Sequence, residues 1–255
     1  MTFDSVHNDE TVEDLQLAGL KLIQKKNGFR FGMDSVLLAD FAAVKTTDTV
    51  ADFGCGNCIL PLLLIGRNKG NAFFAIDIQE DAASTARRTV MLNHLEDRIT
   101  VICDDVKKAD SHIQRGSVDC VVCNPPYTLS GQGIVNPSKE KAIARHQSEA
   151  ALDSFLKTAF ILLKGKGKIS LCYPASQMLQ IMVKLHEHHL EPKRFRLVYP
   201  FADKPANLVL IEAVKDAKPL LHTMPPLIVY QKEGTLTNEL KSIYHIEEQT
   251  KVQER

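Results

Sequence analysis

The chain has 255 residues, 44% of them hydrophobic, and its 31 Lys and Arg balance 31 Asp and Glu to zero net charge. Such a length closes a multilayer core within one large domain and excludes a disordered or fibrous chain, while zero net charge means that a polyanionic partner must be held by local patches. No apolar stretch approaches the roughly 20 residues that span a bilayer, and the first residues are acidic and polar rather than basic followed by apolar. The protein is expected to be soluble and cytoplasmic, with no membrane partner.

Residues 1–14 carry five acids and no Lys or Arg, and they read as a mobile leader. From Leu15 to Lys26 the apolar residues fit a short helix and a strand comparably well. Asp34 to Ala43 has an N-cap residue, Asp34, and the Val36, Leu37, Phe41 spacing of an amphipathic helix. From Thr49 the pattern is regular. The run TVADF meets a glycine-rich turn, a helix from Ile59 to Gly66, the run NAFFAID, a helix from Asp81 to Asn93, and the run ITVIC. The strand VDCVVC follows, then a loop of about twenty residues from Asn124, a helix from Ser154 to Leu163, the strand KISLCY, and a helix from Ser176 to His189. Two final strands are expected around Phe195 to Tyr199 and Leu208 to Val214. Alternation of this kind predicts a Rossmann-like α/β fold, a mostly parallel sheet of seven strands with helices on both faces. The eight residues between the last two strands are too few for a helical crossover, so these two strands should pair antiparallel at one sheet edge.

Six cysteines with no secretory signal argue for reduced thiols. Cys55 to Cys58 and Cys120 to Cys123 both have CxxC spacing. The second pair lies in a buried strand, where residues three apart point to opposite faces and cannot share a metal. His186, His188 and His189 read as a solvated helix face, and no metal site is expected.

In an open α/β sheet the ligand lies at the carboxyl ends of the strands, near the point where strand order reverses. Four predicted strand ends carry polar residues. Asp52, Gly54 and Gly56 form the first; the glycines allow a tight turn and close approach of a ligand, although the third glycine of G-x-G-x-x-G is replaced by Ile59. Asp77 ends the second strand, at a distance from Asp52 where an acid meets a ribose diol in such folds. Asp104 and Asp105 end the third, where a carboxylate can accept from an exocyclic amine. Together they describe an adenosine-bearing cofactor, although any one Asp here could instead cap the next helix. The fourth is Asn124-Pro125-Pro126-Tyr127. The Asn124 amide oxygen and the Pro125 carbonyl can accept both hydrogens of an sp² amino group, and Tyr127 can stack on the ring that bears it.

In this order the motifs resemble those of the class I S-adenosylmethionine-dependent methyltransferases with an N-P-P-Y motif, over roughly residues 15 to 245. The segment GFRFGMDSVLLA from Gly28 to Ala39, Ala144-Arg145-His146, and Lys204-Pro205-Ala206 are similar to the bacterial tRNA1(Val) adenine-37 N6-methyltransferase family. The resemblance implies a single methyltransferase domain over 15–255, with an N-terminal segment at 15–48, a catalytic core at 49–214 and a C-terminal extension at 215–255. It further implies S-adenosylmethionine as cofactor, held by Asp52, Gly54 and Gly56 at the methionine part, Asp77 at the ribose, Asp105 at the adenine, and Phe31 closing over it. Asn124, Pro125, Pro126 and Tyr127 would hold the target amine, and Arg145 and His146 would contact RNA. Members usually carry Gly where this chain has Cys58. The implied partner is the anticodon loop of a tRNA, with no obligate protein partner. Methylation of a protein glutamine, another RNA or DNA amino-methylation, and a non-catalytic RNA-binding or scaffold role remain alternatives. Basic clusters at residues 15–32 and 139–168 and at Lys193, Arg194 and Arg196 can contact phosphates or be ordinary solvated faces.

Overall fold

A computed structural model describes residues 6–26, 32–124, 152–232 and 234–246. The first described element is a hairpin, β1 (Glu10–Asp14) antiparallel to β2 (Lys21–Lys25). Residues 10–14 were expected within a mobile leader and form a strand instead. The segment that fitted helix and strand equally ends in a strand as well. The reason is tertiary. The Ile23 N–H donates to Thr89 Oγ1, and the Asn93 carboxamide both accepts from the Lys21 N–H and donates to its carbonyl. The Glu10 side chain, 1% exposed, accepts two bonds from the Arg88 guanidinium at 2.5 and 2.6 Å.

Helix α1 (Met33–Phe41) follows. Its N-cap is Gly32, without a side-chain cap bond, so Asp34 lies inside the first turn rather than at the cap as its residue type suggested. Then come β3 (Thr49–Phe53), α2 (Ile59–Gly66), β4 (Ala72–Asp77), α3 (Glu80–Leu92) and β5 (Ile99–Cys103). Helix α2 is apolar all round and buries Ile59 to Leu64; Pro61 is tolerated in its first turn, where no intrahelical N–H bond is lost. Helix α3 is amphipathic. Its first-turn Glu80 and Asp81 favour the helix N-terminus, and its buried stripe is Ala83, Thr85, Ala86, Thr89 and Val90.

A 3-10 turn (Val106–Ser111) leads to β6 (Val118–Cys123). Beyond the long loop lie α4 (152–162), β7 (Leu163–Pro174), a 3-10 turn (Ala175–Gln177), α5 (Met178–Glu187), β8 (Leu190–Tyr199) and β9 (Leu208–Lys215). His188 and His189 fall past the end of α5, His189 in the left-handed region at φ 57°. The last described elements are β10 (His222–Thr223), β11 (Leu227–Ile228), the small hairpin of β12 (Tyr230–Lys232) and β13 (Thr235–Leu236), and α6 (Asn238–Ile243).

The main sheet runs β5-β4-β3-β6-β7-β9-β8, all parallel except β9, which is antiparallel to both β7 and β8. The expected Rossmann-like α/β class therefore holds, and the last two core strands, β8 and β9, pair antiparallel on one side of the sheet as expected, with β9 between β7 and β8. One difference lies beyond them. Residues 222–228 then add β10 and β11 in parallel to the outer side of β8, which raises seven strands to nine among the described residues. One core packs Leu37, Leu38, Leu62, Leu64 and Val90 from α1, α2 and α3 on one face. The other packs Leu156, Leu162, Ile181 and Leu185 from α4 and α5 on the opposite face. Cys120 belongs to the first core and Cys123 to the second, as strand alternation requires. No helix among the described residues is long and apolar enough to cross a membrane.

The Arg88 pair holds the Glu10 carboxyl at about 2, below its ordinary 4.5. A depressed folded pKa stabilises the fold above the unfolded value, and the contribution is lost as pH falls from about 4.5 towards 2. Glu10→Ala should cost about 3 kcal/mol at pH 7, because it strands Arg88 without its carboxylate, and much less at pH 3. Urea denaturation at the two pH values checks this; an equal cost at both would assign the effect to packing.

Candidate functional site

The site follows from the sheet register. Phe53 pairs with Ile76 on one side and Cys123 on the other, so the residues that follow, Gly54, Asp77 and Asn124, emerge at one level across three adjacent strands. Strand order reverses at β3, where the crossovers part and leave the carboxyl ends open. Of the residues singled out in the sequence, Asp52, Gly54, Gly56, Asp77 and Asn124 come together at this edge. Asp105 lies at the carboxyl end of neighbouring β5. Phe31, Pro125, Pro126, Tyr127, Arg145 and His146 lie outside the described residues.

The turn after β3 is held by the next strand: the Gly54 and Cys55 N–H groups both donate to the Ile76 carbonyl, at 2.8 and 3.0 Å. Gly54 (φ 74°) and Gly56 (φ 55°) occupy the left-handed region that favours glycine, and a Cβ at either would meet no atom of the described residues within 4 Å. Among these residues the turn presents bare backbone. Cys58 lies in the left-handed region at φ 74° and forms the N-cap of α2. A non-glycine residue adopts that geometry at a cost of roughly 1–2 kcal/mol. Burial drives the Cys58 thiol well above its usual pKa, which disfavours the thiolate.

Asp77 accepts the Gly56 N–H through Oδ2 and the Gln79 N–H through Oδ1, both at 2.9 Å. It braces the glycine turn and caps the start of α3 while each oxygen keeps a further lone pair. Asp52 is 1% exposed, and both of its carboxyl oxygens are buried with no hydrogen-bond partner among the described residues. A buried carboxylate is costly until it meets a cation or a donor. Asp105 Oδ1 caps the 3-10 turn through the Lys107 N–H at 3.0 Å, so the capping alternative is realised there. Asp104 is occupied by His112 and Lys108, and the His112 bond holds its carboxyl at about 2.

Asn124 donates from Nδ2 to Asp34 Oδ2 at 3.0 Å and to Ser35 Oγ at 3.2 Å. Sequence reasoning missed this link across 90 positions, and it also missed Asn57, whose amide ties the glycine turn to the Ile23 carbonyl of β2. Among the described residues several members of the basic clusters are engaged within the protein: Lys25 with Asp81, Lys164 with Asp119, Arg194 with Glu212 and Arg196 with Glu239. Arg194 also lies over the Phe41 ring, 4.3 Å from its centroid.

Comparison with known proteins gives three findings. Residues 30–188 match the family model described as the methyltransferase small domain. A protein of Aliivibrio salmonicida named tRNA1(Val) (adenine(37)-N6)-methyltransferase is 27% identical over 81% of this chain and 86% of its own length, and one of the same name from Aeromonas salmonicida is 30% identical over 71% and 75%. A solved structure described as a predicted O-methyltransferase from Agrobacterium tumefaciens superposes with a TM-score of 0.67 at 20% identity, covering 84% of this chain and 96% of that one.

Burial first, and then the charge of Asp77, hold the Asp52 carboxyl well above its ordinary 3.8. Because the folded pKa exceeds the unfolded one, ionising Asp52 costs the free protein stability as pH rises from about 3.8 through the raised value. Asp52→Asn is expected to raise the melting temperature at pH 7 by about 2–4 °C, on the order of 1 kcal/mol, with little effect at pH 4. Calorimetry of the free protein checks it; a lower melting temperature at pH 7 would mean that the carboxylate stabilises the fold.

Proposed function

Starting from the premise that the chain belongs to the methyltransferase small domain family, we propose that it transfers a methyl group from S-adenosylmethionine to the N6 amine of adenine 37 in tRNA1(Val). The observation that carries the reading is the common level of Gly54, Asp77 and Asn124 at the strand-order reversal, with the unpartnered Asp52 carboxylate beneath.

S-adenosylmethionine supplies an electrophilic methyl on a sulfonium, flanked by an ammonium and carboxylate on one side and a ribose diol and adenine on the other. The described residues fit those groups. Asp52 offers two buried oxygens without a hydrogen-bond partner among the described residues, which suits the methionine end. Gly54 and Gly56 leave the space that any Cβ would take. Asp77 keeps lone pairs for two vicinal hydroxyls while holding the turn in place. In this reading Asp105 faces the adenine, and Phe31 closes over the cofactor.

On the acceptor side, in this reading, Asn124 Oδ1 and the Pro125 carbonyl take the two hydrogens of the amine, with Pro126 beside them and the Tyr127 ring stacking on the base. Holding the nitrogen in line replaces a bimolecular search by a preset encounter. Arg145 and His146 are assigned to the RNA. An anticodon-loop base is already unpaired, so reaching it costs less than extruding one from a duplex.

Nucleoside mass spectrometry of valine tRNA from a strain lacking the gene tests the reading. N6-methyladenosine at position 37 should vanish, return with the wild-type gene and stay absent with Asn124→Ala. Calorimetric titration should find that Asn124→Ala binds S-adenosylmethionine within about threefold of wild type, a small perturbation on the scale of tenfold per 1.4 kcal/mol. Persistence of the modified base in the deletion strain would refute the substrate, and parallel loss of cofactor binding would make Asn124 structural.

A further inference from the structure

We infer that Asp34 is a positioning residue for methyl transfer: with Ser35 it holds the Asn124 carboxamide so that its oxygen, and not its NH2, faces the acceptor amine. The inference rests on the function proposed above and deepens it. Asn124 follows the last residue of β6, and Asp34 lies in the first turn of α1. Asn124 Nδ2 stands 3.0 Å from Asp34 Oδ2 and 3.2 Å from Ser35 Oγ.

A carboxylate accepts and cannot donate, so it admits only the NH2 side of a neighbouring amide. Turned by 180° about its last torsion, the carboxamide would set Oδ1 against the Asp34 carboxylate, two acceptors with no proton between them. The correct orientation instead gains a charge-assisted bond, about twice as strong as a neutral one. Ser35 is 2% exposed and offers a second acceptor at the same nitrogen. With Nδ2 directed at these two groups, the carbonyl side of the amide is turned away from them.

Asp34 is itself constrained. Its Oδ1 accepts the Ser35 N–H at 2.9 Å. At Gly32 a Cβ would stand 2.6 Å from that same oxygen. The Gly32 backbone, at φ −99°, is open to any residue, so glycine serves here by its missing side chain. Gly32, Asp34 and Ser35 thus form one short device that reaches from α1 to the end of β6.

The test uses the full chain carrying Asp34→Ala, Asp34→Asn or Gly32→Ala. Asp34→Ala should lower kcat on unmodified valine tRNA about 100-fold, the scale of a misplaced reacting group, with KM for tRNA, affinity for S-adenosylmethionine and melting temperature close to wild type. Asp34→Asn still offers an acceptor oxygen and should recover kcat to within about tenfold of wild type, the neutral bond being weaker. Gly32→Ala retains every polar group yet crowds the carboxylate, and should behave like Asp34→Ala. Independently of turnover, the side-chain NH2 resonances of Asn124, identified by their loss in Asn124→Ala, should exchange with solvent faster in Asp34→Ala than in wild type. Unchanged kcat in Asp34→Ala overturns the inference. So does a fall in kcat matched by lost cofactor affinity and lost melting temperature in both Asp34 variants, which would mark a structural role. If the wild-type chain transfers no methyl to the tRNA, the function reading fails, and unchanged amide exchange in Asp34→Ala would separately remove the Asp34 contact.

Discussion

The reversal of strand order at β3 is the constraint from which the rest of the molecule follows. Strands β4 and β6 both bond to β3 in parallel, so the chain must cover one sheet face while it builds β4 and β5 and the other while it builds β7 and β8. Parallel crossovers are right-handed, and that handedness puts α2 and α3 over one core and α4 and α5 over the other. At the reversal the two sets of connections diverge. The carboxyl ends of β3 and β6 are the place no crossover can cover, and the chemistry-bearing residues are gathered there.

The residues at this edge are not those that a stable core would choose. Asp52 brings into the interior a carboxyl with no hydrogen-bond partner among the described residues, and Cys58 sits in a backbone region that favours glycine. Such features are retained where the surrounding structure determines them and where a ligand can repay the cost. Around them the loop is tied down from several directions: by the Ile76 carbonyl, by the Asp77 carboxylate and, through Asn57, by β2. The N-terminal hairpin is therefore part of the framework of the site, fastened to α3 by the Glu10–Arg88 pair and by Asn93. At the other end of the chain the Arg67 guanidinium donates to the Ile243 carbonyl, which joins α2 to α6. The balanced charge has a structural use as well, with several of the described basic residues paired to acids on neighbouring elements.

The alternation of apolar runs and amphipathic stretches was enough to read the core, from TVADF to the antiparallel strand at Leu208–Lys215, because buried parallel strands and their covering helices leave strong periodic signals. It was also enough to read which acids and glycines stand at strand ends, since the fold class decides which ends of the strands are open. Less was legible at the margins. Residues 10–14 are as polar as a leader, and they form a strand because of what α3 offers them. Residues 222–228 are too short to register as strands alone, and they pair because β8 presents a free edge.

Composition and order by themselves determined the layered α/β class, the glycine turn, and the placement of Asp52, Asp77 and Asn124 at strand ends. Only the tertiary structure decided what those residues touch. Asp34 has the character of a helix cap, and nothing in its neighbourhood along the chain distinguishes that use from another. It becomes the partner of Asn124 because folding sets the first turn of α1 beside the end of β6, at 3.0 Å and 90 positions away. Periodicity reports on neighbours along the chain, whereas a hydrogen bond between distant segments depends on the packing that brings them together.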